Sequence, residues 1–215
     1  MQIRIVYTIA TKIESNTIHN ILEGVNMTAV THPHLQRRLI DTAQITRQTR
    51  ALFASLSPTQ RTWKPAPKEW SVAECFEHLV IAGKLYYPRI RTAIEQAHQR
   101  GIYGHDPCRP TPFGILFIGL LRPGASVKVQ TSSMFMPMSG GDSEIHERFL
   151  AQQEELTELV RLAEGCDLNK VRITSPAIHM ISFTLGEALW LQTIHQQLHM
   201  QQAYNVCKMD DFPHA

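Results

Sequence analysis

Two histidines four residues apart, His195 and His199, stand in the stretch Leu189-Trp190-Leu191-Gln192-Thr193-Ile194-His195-Gln196-Gln197-Leu198-His199-Met200. The apolar residues around them recur with a helical period, and a spacing of four puts both imidazoles on one helix face. With His195 at zero on a helical wheel, His199 falls at about 40°, Ala188 and Val206 near about 20°, and Leu185 and Ala203 near about 80°, with Leu191 on the other flank. The histidines therefore point where the apolar stripe points, and Thr193, Gln197 and Gln201 fall on the opposite side as a solvent face. Unpaired imidazoles away from water cost about 1–3 kcal/mol each, so these two need hydrogen-bond partners or a metal ion. From the pair alone both readings stand: polar core histidines bonded to carbonyls and waters, or two ligands of an ion that needs a third.

The elements that must position this pair are helical. At 215 residues and 43% hydrophobic, the chain is long enough for one well-buried domain and shows no composition shift that demands two. Cys75, Cys108, Cys166 and Cys207 lie far apart with no C-x-x-C pair, which argues against a disulfide framework or a thiolate zinc site and fits a cytoplasmic location. The longest apolar run, Phe113 to Leu121, is about half of a bilayer span, so no membrane partner is expected. A formal net charge of +2 leaves no broad basic footprint for nucleic acid. Residues 1–30 are expected to be an extension outside the domain, without the apolar core and cleavage site of a signal peptide, and Met27 is a candidate natural start.

From residue 31 onward the pattern is that of four long helices. Pro33 suits a first turn, and Leu35, Leu39, Ile40, Ala43, Ile45, Leu52 and Phe53 carry the first helix to about Leu56, where Ser57-Pro58 ends it. Trp63-Lys-Pro65-Ala-Pro67-Lys-Glu69 reads as an extended approach. Ser71-Val-Ala-Glu74 is a capping box with Trp70 at the staple position, and it opens a second helix that carries His78 beside its apolar stripe, with a kink expected at Pro88 and a stop at Gly101. Residues 101–141 hold Pro107, Pro110, Pro112, Pro123 and Pro137 and form a long crossover, within which Phe113–Leu121 is a candidate short element packed over the bundle. Such a crossover permits the second and third helices to run parallel. Asp142 or Ser143 can cap the third helix, which ends before Gly165; Glu147, Glu154, Glu155 and Glu158 should face solvent. Residues 166–182 read as irregular, and Thr184-Leu-Gly-Glu187 is a second capping box that opens the fourth helix, running to about Cys207.

The segment Trp63-x-Pro65-x-Pro67-x-x-Trp70-Ser71-Val-Ala-Glu74-Cys-Phe-Glu-His78-Leu79, followed by Thr184-Leu-Gly-Glu187 and His195-Gln-Gln-Leu-His199-x-x-Gln202, resembles the DinB-like superfamily over about Leu35 to Tyr204. That family includes bacillithiol transferases and is related to mycothiol-dependent maleylpyruvate isomerases. The resemblance implies an all-α fold, a four-helix bundle running up-down-down-up with its long crossover between helices two and three, in a domain covering residues 31–215. It implies that His78, His195 and His199 hold a divalent metal, and that the protein is a homodimer. Three neutral imidazoles suit zinc, nickel or iron, and without a fourth protein ligand the remaining positions stay open, as in a catalytic site.

Each neighbour of the three histidines has a second role to weigh. Glu74, one turn before His78, could orient that imidazole, but its capping duty also accounts for it. Gln192 and Gln202 flank the helix-four histidines and could bond ligands or serve as polar filling. Arg89, almost in line with His78 about three turns on, could meet an anionic substrate group. Cys75 reads as a small core residue rather than a nucleophile. The resemblance favours transfer of a low-molecular-weight thiol to an electrophilic substrate; a metal-dependent hydrolase and a non-catalytic, stress-related metal-binding bundle are the alternatives. An enzyme should leave an open cleft over the metal walled by residues 101–141, whereas a scaffold should cover it.

Overall fold

The computed structural model describes residues 30–124, 131–138 and 144–213 of the chain. The expected N-terminal extension, apart from Val30, and the Asp142 and Ser143 caps lie outside the described residues. Val30 itself is buried, and Gln36 Nε2 donates to its carbonyl over 3.0 Å.

Helix α1 spans Pro33–Ala54, with Pro33 in the first turn and the His32 side chain accepting from the His34 amide. The chain does not then run straight into an extended approach. Ser57 and Gln60 form a capping box around Pro58, which starts a short helix, α2 (Pro58–Thr62); Pro at the first helical position is as much a start signal as a stop signal. Helix α3 (Val72–Gln99) begins at the Ser71–Glu74 capping box and runs on through Pro88. It ends where Gly101 takes φ +65° and the amide of Ile102 bonds the carbonyl of Ala97 over 2.8 Å, a conformation that glycine adopts without a Cβ penalty.

Within the crossover, Thr111 caps a short apolar helix, α4 (Pro112–Leu120), and Ser133–Phe135 forms one 3-10 turn. Helix α5 spans Ile145–Leu162. The stretch expected to be irregular contains a small antiparallel pair, β1 (Arg172–Thr174) and β2 (Ser182–Thr184), with Ile173 opposite Phe183. Three-residue strands are too short for an alternating pattern to show. Helix α6 (Leu185–Val206) follows directly from the Thr184–Glu187 capping box.

The four long helices, α1, α3, α5 and α6, form a helical bundle in which α1 and α3 each pack on both α5 and α6. Contacts between α3 and α5 advance together: Phe76 meets Phe149 edge-on at 5.0 Å, Gln152 Nε2 donates to the Val80 carbonyl over 2.9 Å, Arg91 pairs with Glu158, and His98 donates to the Leu162 carbonyl. Between α1 and α5 they run oppositely, from Thr31 on Glu164 to Phe53 on His146. Two apolar clusters fill the interior, one around Leu39, Tyr87, Ile90, Leu156 and Leu189, the other around Ile45, Phe53, Phe76 and Phe149.

The solvent face expected on the fourth helix is only partly present. Gln201 is exposed, but Thr193 is fully buried. Helix α6 is clasped on two sides: His34 donates to the Gly186 carbonyl from α1 over 2.9 Å and Arg38 lies over the Trp190 ring, while α3 covers the other flank. A helix with two neighbours has little far side left.

His34 gives the fold a pH dependence that its buried position dictates. Burial, reinforced by the nearby Arg38 charge, lowers its pKa from 6.5 to about 4. The unfolded chain binds a proton near 6.5 that the folded chain refuses, so stability falls as pH drops from 6.5 toward about 4. His34→Gln, which keeps a donor for Gly186, is expected to flatten the fall in urea midpoint between pH 7 and pH 5; an unchanged slope contradicts this.

Candidate metal centre

His78 comes from the second turn of α3, and its position follows from the Ser71 cap that fixes where that helix begins. His195 and His199 come from the middle of α6. Their Nε2 atoms converge: His78 and His195 are 3.0 Å apart and His195 and His199 3.1 Å. All three ligand atoms lie within 4.8 Å of one another, and this is a group able to hold a metal among the described residues.

The outer nitrogens settle which face each ring offers. His78 Nδ1 donates to the Phe135 carbonyl over 2.8 Å, and His199 Nδ1 donates to Gln202 Oε1 over 3.0 Å. Each ring therefore carries its lone pair on Nε2, facing His195. His195 Nε2 has at most one proton and can satisfy one of these two lone pairs; the other meets nitrogen. A cation at the centre accepts all three, so the donor set fits a metal better than it fits a polar core. Carbonyl and amide acceptors on the outer nitrogens are the usual supports of metal-bound imidazoles.

The electrostatics agree. Burial pushes His78 below the ordinary histidine range against its bond to Phe135. Burial, followed by the neighbouring His199 and His78, holds His195 well below 6.5, and burial followed by His78 lowers His199 to about 3. All three imidazoles are neutral at pH 7, the state in which they ligate.

The cluster opens into a cavity of about 760 Å³. Phe117, Leu120, Leu121 and Phe135 of the crossover wall it, together with Tyr86 and Leu191 from the long helices. His195 is only half-buried for this reason, while His78 and His199 are 4% and 7% exposed.

A family model described as the DinB superfamily matches residues 41–203. The chain belongs to the DinB superfamily. Neither a curated protein nor a solved structure matches it.

Around this DinB triad the expected neighbours divide. Gln202 Oε1 accepts the hydrogen bond from His199 Nδ1, and Gln192 is buried and lines the cavity. Glu74 turns to its capping duty: its oxygens accept from the Ser71 amide over 2.8 Å and from Lys64 Nζ over 2.7 Å. Arg89 is not brought to the cavity; it is exposed on a separate shallow depression with Thr92 and Arg172, and donates to the Leu85 carbonyl. Cys75 is wholly buried, and burial pushes its thiol far up, which disfavours the thiolate that a nucleophile needs. Two contributors were missed in the sequence. Trp70 lies 4.9 Å from the His78 ring and 5.6 Å from that of His199, covering both; its place just before the cap was the available signal. Phe135 acts through its backbone carbonyl, which no residue type announces.

Gln202→Leu is expected to weaken metal affinity about 10- to 100-fold by freeing the His199 tautomer. Competition with a chromogenic chelator reads the change; an affinity equal to wild type contradicts that role.

Proposed function

We propose that this DinB-superfamily chain is a metal-dependent enzyme that transfers a low-molecular-weight thiol to an electrophilic substrate, with His78, His195 and His199 holding the ion. One observation carries the reading: the three Nε2 atoms converge at the wall of a cavity of about 760 Å³, large enough for a substrate. A divalent zinc or nickel ion, or iron, supplies Lewis acidity there, lowering the pKa of a thiol or of water. The protein's own part is to keep the imidazoles neutral by burying them, to aim them through Phe135 and Gln202, and to limit water with Trp70 and the crossover wall. Hydrolysis uses the same arrangement with water in place of the thiol. A purely structural metal site is less well supported, because such sites are closed by protein ligands.

We also read the bundle as up-down-down-up, supported by the parallel advance of α3 and α5. The exposed Phe113, Ile115 and Leu116 on α4 support a homodimer. Among the described residues no helix is long and apolar enough to cross a membrane, and a cytoplasmic location remains our proposal from the scattered cysteines.

The test is turnover. Protein loaded with zinc or nickel is incubated with small thiols and a chromogenic aryl halide, and product is followed against metal-free protein. Metal-dependent transfer supports the reading; hydrolysis of ester probes without thiol transfer favours the hydrolase; neither, across both metals, overturns the enzymatic proposal.

A further inference from the structure

The cavity lies along α6 from Leu191 to Asn205, a rise of about 21 Å at 1.5 Å per residue, and the histidines sit near its middle. Its two ends differ in chemistry. Toward the C-terminus of α6, Gln201, Gln202 and Asn205 face the cavity with Lys68 and Glu69, which precede α3. Trp70, next in sequence, packs on His199 and fixes this end. Toward the N-terminus of α6 the wall is Leu191, Tyr86, Phe117, Leu120, Leu121 and Ile178. Tyr86 stands eight residues beyond His78, or about 12 Å along α3. Its hydroxyl lies 3.5 Å from Ser175 Oγ, which places it beside the turn that carries Ile178. Phe117 packs at 5.4 Å on Phe183, just before α6 begins. Gln192 is a polar side chain on this side, one turn from His195, and Thr131 and Ser132 of the crossover also line the cavity.

We infer that the cavity is divided at the histidine cluster into a polar subsite and an apolar subsite, and that the group accepting the thiol is apolar, an aliphatic chain or an aromatic ring seated against Tyr86, Phe117, Leu120 and Leu191. This rests on the thiol-transfer reading for the identity of the two substrates, but the apolar subsite itself does not depend on it. The polar end takes the hydrogen-bonding part of the thiol. The two molecules then approach the cluster from opposite ends without competing for the same wall. Apolar surface on both partners leaves water at this end, which is the source of the affinity.

Nickel-loaded protein titrated with n-alkylthiols from ethanethiol to octanethiol tests this, read by the thiolate-to-nickel charge-transfer absorbance. Each added methylene is expected to tighten Kd about three- to four-fold until the chain fills the subsite. Leu120→Ser, at a half-buried wall position, is expected to flatten the series, and Arg89→Ala, exposed outside the cavity, to leave it unchanged. An absorbance that develops with no dependence on chain length overturns the apolar subsite and leaves the metal site standing. If no thiol gives the absorbance, the thiol-transfer reading fails. The same chain-length series of n-alkanols, titrated calorimetrically into metal-free protein, then decides the subsite: a retained slope that Leu120→Ser flattens supports it, and a flat series overturns it.

Discussion

His195→Ala is expected to fold as well as the metal-free wild type and to lose high-affinity metal binding. His195 is the hub of the cluster, with Nε2 within 3.1 Å of both other ligand nitrogens. Its removal deletes one of three ligands and leaves the other two without the geometry that made them a site. Without metal, the same ring is a liability, since burial and two neighbouring imidazoles oppose its protonation; alanine removes the nitrogen that faces both lone pairs and opens them to water in the cavity, at the cost of some packing. The contrast therefore appears on adding metal. Wild type at a hundredfold excess of metal over Kd gains about 2.7 kcal/mol of stability, whereas His195→Ala gains essentially none. Thermal melts with and without zinc or nickel read this directly. Equal metal-induced shifts in both proteins contradict the assignment of His195 as a ligand.

Glu187→Ala is expected to cause the largest loss of stability away from the metal. The Glu187 carboxylate, 1% exposed, accepts from the Thr184 amide over 2.8 Å, from the Thr111 amide over 2.5 Å and from Thr111 Oγ1 over 2.7 Å. One side chain thus closes the cap of α6 and pins the start of α4, and Gly114 lets α4 approach because a Cβ there meets the carboxylate. Alanine strands these buried donors, a loss of about 3–5 kcal/mol given that bonds to a charged group contribute roughly 1.5–3 kcal/mol each. Because α4 supplies Phe117 and Leu120 to the cavity wall, hydrogen exchange in residues 112–120 should quicken more than in α3. A loss below about 1 kcal/mol, small beside the worth of even one such bond, with exchange unchanged in α4, contradicts this role.

Much of the architecture was legible because it is written in local signals. Both capping boxes, the glycine stop at Gly101 and the apolar element inside the crossover appear where side-chain chemistry places them. The i, i+4 histidines were legible for the same reason. What the sequence did not disclose depends on distance and on neighbours. Arg89 shares an angle with His78 on the helical wheel, but eleven residues carry it about 16 Å along the axis, onto another surface. Thr193 sits opposite the histidines on that wheel, yet a second helix occupies that side. The β1–β2 pair is held by partners across a seven-residue turn, with the Ser175 amide on the Ile181 carbonyl, a pairing no single segment encodes. Trp70 reaches His78 only as the segment before α3 folds back on that helix, and the Phe135 carbonyl only once the crossover does.

We propose that the three convergent imidazoles hold one metal ion and leave it open to the cavity. Elemental analysis of untagged protein, purified without a metal column and reconstituted in parallel with zinc, nickel and iron, tests it most directly. About one equivalent of a transition metal per chain, with an absorption-edge spectrum showing nitrogen ligands at about 2.0–2.1 Å and a remaining ligand that exchanges for added thiol, is the expected result. No bound metal after reconstitution with all three ions, or a metal closed off by a further protein ligand, would contradict it.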